Sequence, residues 1–351
     1  MQVEKKVIGE LNKCYSMSEL NYNGKHCFLV AAEKQDPCFL FSESGEKLET
    51  VWTEPGGVMT MTPVPNGSGA FLATHKFYSP NDSAEAKIVI AEPKGNGEWS
   101  VRTLVDAPFV HRFGLLRRGG TTYIIVCCLK SGHEFKEDWN HPGAVYAAEL
   151  PSDLSAYNEN NQLPLTLLKD GMLKNHGYCT VAENDYDTAL VTCEQGVFQF
   201  VPPAQKGGAW EIRSLLDVAT SDAVLCDFDG DGELELGCMS PFHGEELAIY
   251  HKNAAGAYEK VWQFAEPCEF LHAIWAGELA GQQTWVIGHR KGKRNTMAIR
   301  YDAAKKDYTF EIIDENTGAA NLLHFVNAAG EDVLVATNRE IDEIAMYTVK
   351  A

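Results

Sequence analysis

Short apolar runs broken by polar turns recur along the whole chain, and no stretch carries a long 3.6-residue helical period. Five segments align. They are "HRFGLLRRGGTTYIIVCCLK" from His111, "HGYCTVAENDYDTALVTCEQ" from His176, "DAVLCDFDGDGELELGCMSP" from Asp222, "HAIWAGELAGQQTWVIGHRK" from His272 and "NLLHFVNAAGEDVLVATNRE" from Asn321. Each reads as an apolar strand, a polar turn and a second apolar strand. The last two align without a gap, which sets His289 opposite Asn338. Two further copies begin at Ser16 and Val58, so the starts lie 42 to 65 residues apart. That is the spacing of four-stranded propeller blades.

Most units continue with two more strands, such as "AKIVIAEP" and "EWSVRTLV" after the Val58 copy. The last unit has only one, "EIAMYTVK", before the chain ends. The N-terminal "QVEKKVIGE", residues 2–10, supplies the missing strand. It closes the ring and removes the open sheet edges that an unclosed array would leave. The expected fold is an all-β, seven-bladed β-propeller forming one domain over residues 1–351. A sandwich with a second domain fits seven copies poorly.

At 45% hydrophobic residues the chain has material for a large core, and its formal net charge of −19 is spread along its length. Such a balance argues against nucleic acid or an anionic membrane as the main partner. No apolar run reaches the length of a membrane span, and "MQVEKKVIGELNK" lacks the apolar core of a signal peptide. The ten cysteines include no C-x-x-C pair. Reduced, buried thiols in a cytoplasmic protein are the expectation.

The run "DFDGDGELE" has the acidic spacing of a calcium loop but not the bidentate acid of an EF-hand, since its twelfth position is Cys238. It joins two strands. Asp227, Asp229, Asp231 and Glu235 are expected to form a structural cation loop there, for calcium or magnesium. Acidic turns of this kind resemble those of FG-GAP and VCBS-type propeller repeats.

In a propeller the starts of the innermost strands and the ends of the second strands share one rim. Here His111, His176, Asp222, His272 and Asn321 stand at the starts, and Glu33, His75, Lys130, Glu194, His289 and Asn338 at the ends. Three imidazoles and a carboxylate around one axis suit Zn²⁺, Mn²⁺ or Fe²⁺. The expected metal ligands are therefore His111, His176, His272 and Asp222. His75 and His289 are the candidate bases, and Tyr78 and Tyr178 the candidate proton donors. The loops on this rim add His133, His243, Arg290, Lys291, Lys293, Arg294 and Arg339. With Asn338, these are the candidate contacts for an anionic or neutral carbohydrate. The longest insertion, "SGHEFKEDWNHPG", is a candidate partial lid.

The blade count, the central histidines and the acidic turn resemble the histidine-rich, metal-bearing propellers of oligogalacturonate lyase and the aldos-2-ulose dehydratase group. That resemblance implies proton abstraction from a sugar and expulsion of a β-substituent. The lyase's glutamine ligand has no counterpart here, and Asp222 stands in its place. The leading expectation is a metal-dependent lyase, dehydratase or isomerase acting on a sugar acid or keto-sugar. The alternatives are a non-catalytic propeller binding a sugar or protein on the same rim, and a metal-dependent lactonase or other hydrolase. Fold cannot choose among them.

Overall fold

The structure is a computed structural model and describes residues 1–65 and 67–351. Seven four-stranded antiparallel sheets form a ring. Blades 1 to 6 cover residues 14–52, 61–106, 110–172, 177–216, 222–263 and 271–314. Blade 7 takes three strands from 322–350 and its outermost from Gln2–Glu10, which pairs antiparallel with Glu343–Lys350. The closure expected from the sequence is therefore the one observed. No helix among the described residues is long and apolar enough to cross a membrane.

The strand chemistry follows from blade packing. Each blade's second strand is covered on both faces by its neighbours, so it reads as a continuous apolar run, as in the fully buried residues 27–32. Outermost strands such as Glu211–Leu216 are largely exposed. The core lies in layers between blades. Leu29 and Leu40 meet Phe71 and Val89 between blades 1 and 2, and Val224 and Met239 meet Trp285 and Ile287 between blades 5 and 6. Each such fully buried side chain contributes about 1.5–3 kcal/mol. Gly237 lets that second layer pack closely, since a Cβ there would sit 3.1 Å from the Trp285 ring.

First strands neighbour one another around the axis and line the channel. Three of them are bulged at their second residue. The pairing registers skip Tyr15 in blade 1, His111 in blade 3 and His272 in blade 6. A bulge re-aims its extra residue, and these three side chains meet the same histidine cluster at one end of the channel.

Candidate metal centre at the channel mouth

His176, His243 and His272 each offer a ring nitrogen, and the three nitrogens lie within 4.8 Å of one another. His176 immediately precedes the first strand of blade 4, and His272 is the bulged residue of blade 6. His243 comes from the loop between the second and third strands of blade 5, where its backbone is left-handed at φ 49°.

Hydrogen bonds fix which nitrogen of two of these rings carries the proton. His272 Nδ1 lies 2.7 Å from the Ala320 carbonyl. A carbonyl only accepts, so Nδ1 carries the proton and Nε2 the lone pair. The Tyr15 hydroxyl donates to that Nε2 at 2.9 Å. His176 Nδ1 donates to Asp222 Oδ2 at 2.8 Å. Its Nε2, like that of His243, is buried without a hydrogen-bond partner. A second shell that protonates one nitrogen and aims the other inward is the arrangement of metal-ligating histidines. Burial, before any other cause, holds His111, His243 and His272 well below the usual imidazole range, which keeps them neutral and able to ligate. The orphaned nitrogens of His176 and His243 fit a metal ion.

Aromatic rings close the centre. His243 is stacked between Phe242 at 3.9 Å and Phe270 at 4.3 Å, and Trp139 meets Phe242 edge-on at 5.1 Å. Arg290 and Lys291 lie over the Phe270 ring at 4.8 and 5.1 Å. The Arg290 guanidinium also opposes protonation of both His243 and His272.

The expected ligand set is thus regrouped. His111 lies beside His176, ring centroids 4.4 Å apart, with its Nδ1 on the His176 carbonyl at 3.2 Å, and it is outside the converging trio. Asp222 supports His176 from behind. His243, expected as a substrate contact, supplies the third nitrogen.

Other candidates are placed elsewhere. His75 packs on Trp52 at 4.6 Å, in a crevice with Glu54, Lys87 and Arg102. Both nitrogens of His289 are taken within its own loop, Nδ1 donating to the Lys291 carbonyl at 2.9 Å and Nε2 accepting from Asn295 N–H at 3.1 Å. Neither is available as a base at the trio. Tyr178 fills the space above Gly114, where a Cβ would lie 1.8 Å from its hydroxyl, and it bonds Thr180 at 2.8 Å, so it is a packing residue. Tyr78 stays on the rim, its backbone carbonyl accepting from Lys34. Asn338 is enclosed within blade 7 on Glu343 and Tyr347 at 2.8 and 3.0 Å.

The basic loop divides as well. Arg290 faces the trio, although Glu340 shares it at 2.8 Å. Lys293 pairs outward with Glu266 at 2.8 Å, Arg294 forms a left-handed turn at φ 51°, and Arg339 is tied to Glu33 and Glu340. His133 is exposed, edge-on to Phe109 at 6.0 Å. The insertion is folded around Asp138, whose carboxylate accepts from Glu134 N–H, Asn140 N–H and the Asn140 amide, each at 2.9 Å. At the opposite rim Asp227 turns into its own loop, accepting from Gly230 and Gly232 N–H at 2.8 and 3.1 Å. Asp229, Asp231 and Glu235 come together there with His251, a residue the loop spacing alone does not reveal.

Tyr15 was also missed. It stands one residue before the Ser16 repeat start, at the bulge position equivalent to His111 and His272, so aligning the bulges would have found it.

No family model and no curated protein sequence matches the chain. Solved structures do. One described as a streptogramin B lyase structure aligns with a TM-score of 0.58 and 12% identity, over 98% of this chain and 97% of that one. A second, BBS1N in complex with ARL6DN, soaked with mercury, aligns with a TM-score of 0.59 and 11% identity, over 99% and 95%. These likenesses establish the propeller fold.

Proposed function

We propose that the protein is a metal-dependent carbohydrate-active enzyme, a lyase, dehydratase or isomerase, with Zn, Mn or Fe held by His176, His243 and His272. The observation that carries this reading is the convergence of three imidazoles, two with a buried and unpartnered Nε2. A divalent ion there supplies Lewis acidity beside a carbonyl or carboxylate, easing loss of the adjacent C–H proton. Asp222 and the Ala320 carbonyl hold the ligating tautomers. Phe242 and Phe270 exclude water, which strengthens every charge interaction inside. Arg290 and Lys291 make this rim locally positive on an acidic protein and favour an anionic group on the sugar. His111, with Nδ1 on the His176 carbonyl, offers its Nε2 as a proton acceptor beside the trio. The streptogramin B lyase shares the ring and is named a lyase, but at 12% identity it adds only that the fold can carry such an activity. Ten free cysteines, nine of them buried, suit a reducing cytoplasm.

A second reading is favoured by the closure of the site. His111, His176 and His272 are at most 3% exposed, as a plugged channel beneath a non-catalytic binding rim would be. Elemental analysis of tag-free protein separates the two. The enzyme reading expects a transition metal, one equivalent of which is lost in His176→Ala and in His272→Ala. It also expects ultraviolet-absorbing unsaturated products from sugar acids or keto-sugars, or hydrolysis of a lactone if the ion activates water instead. Metal content unchanged in both variants would end the proposed centre. Metal without turnover of any of these substrates would leave the binding role.

A further inference from the structure

The donors at the opposite rim share no residue with the imidazole trio, and they include a nitrogen that a calcium loop lacks. We propose that Asp229, Asp231, Glu235 and His251 bind a four-coordinate transition ion of the zinc class, a structural metal that ties the acidic turn of blade 5 to that blade's third strand.

His251 lies one step beyond the Leu236–Tyr250 pair, directly across from Glu235. Its Nδ1 is 2.7 Å from the Lys252 carbonyl, so Nδ1 carries a proton and Nε2 points away from the backbone. That Nε2 faces Asp231 Oδ2 at 3.0 Å and Glu235 Oε1 at 3.5 Å. Without an ion, a proton on Nε2 bridges to these carboxylates, and a bound divalent cation would take that proton's place.

Glu235 points the same way. Its side chain is 0% exposed. Oε2 accepts from Phe228 N–H at 2.6 Å, while Oε1 is buried with no hydrogen-bond partner. A carboxylate oxygen stripped of water and given no donor is costly, and a cation at this spot removes the cost.

Spacing and donor type choose the ion. Tetrahedral zinc, with bonds of about 2.0–2.2 Å, sets its donors about 3.3–3.5 Å apart. The two separations from His251 bracket that distance, and all four donors lie within 4.8 Å of one another. Calcium asks for about six to eight oxygens. Here an imidazole occupies one side, and both Asp227 oxygens are engaged by Gly230 and Gly232 N–H. Imidazole with carboxylates favours a borderline ion over a hard one. Four protein donors leave no open position, the mark of a structural site.

The test is the zinc content of the full chain after equilibration with Zn²⁺ in a large excess of Ca²⁺ and removal of unbound metal. Wild type is expected to hold one equivalent more than His251→Gln and one more than Glu235→Gln, with circular dichroism unchanged. Zinc is also expected to raise Tm further in wild type than in His251→Gln. Equal zinc content in the three proteins, or calcium displacing that equivalent, would overturn the proposal. Because the imidazole trio is intact in all three proteins, its metal cancels in the comparison.

Discussion

His75 and His272 are both almost wholly buried, yet only His272 stands in the converging trio. His272 has a carbonyl on one nitrogen and a phenol on the other. His75 packs against Trp52 at a steep angle, and its Nε2 has no partner. Burial, with Lys87 and Lys76 adding smaller effects, pushes His75 down to about 3. The consequence for stability has a definite sign. The unfolded chain protonates this imidazole near pH 6.5 while the folded chain keeps it neutral, so the stabilisation is complete above pH 6.5 and is lost as pH falls toward 3. At pH 5 the loss is about 2 kcal/mol. Urea unfolding of wild type and His75→Phe at pH 7 and pH 5 checks it. The variant should lose less stability between the two pH values, and an equal loss in both proteins would show that His75 titrates normally.

The elements that bring the trio together rely on close approach between blades. At Gly177 a Cβ would lie 2.2 Å from Thr192 Oγ1, 2.5 Å from the Ser221 carbonyl and 2.8 Å from Asp222 Cα. Glycine here lets the start of blade 4 reach the start of blade 5, where His176 meets Asp222. Gly177→Ala should therefore cost about 1–3 kcal/mol by overpacking. It should also weaken metal binding by about 10- to 100-fold, the usual loss when a ligand's supporting partner is displaced. Competition with a chromophoric chelator reads the affinity, and an unchanged value alongside reduced stability would detach Asp222 from the centre. The same scale shows what the sequence could reveal. His176 and His272 are legible because strand starts are register positions and the repeats expose them. His243 is visible as a rim residue but not as a ligand, because a left-handed loop turn, outside any strand period, aims its ring. His289 is legible as a rim residue, but its own loop takes both nitrogens, and no pattern of apolar residues encodes that. His251 is hidden by distance along the chain, and only the pairing of blade 5's second and third strands puts it opposite Glu235.

At the scale of the whole molecule, seven copies and a missing strand are enough to argue a closed ring, because doubly covered second strands leave apolar runs and an unpaired edge is a liability. The clasp itself is polar. Lys5 of the N-terminal strand reaches Asp314 of blade 6 and Glu343 of blade 7, both at 2.8 Å. Tyr347 donates to Asp314 at 2.7 Å and receives the Asn338 amide at 3.0 Å. Lys5→Met leaves two half-buried carboxylates without their cation and should cost about 1–3 kcal/mol, with no change in oligomeric state. Deleting residues 1–10 is a different injury. It strips the pairing from Glu343–Lys350, whose Ile344, Ala345 and Tyr347 lie on a strand that then becomes an open edge. The shortened chain should associate in a concentration-dependent way that the full chain does not show, read by sedimentation velocity over a range of loadings. If it sediments like the full chain at every loading, the N-terminal strand is not what protects that edge.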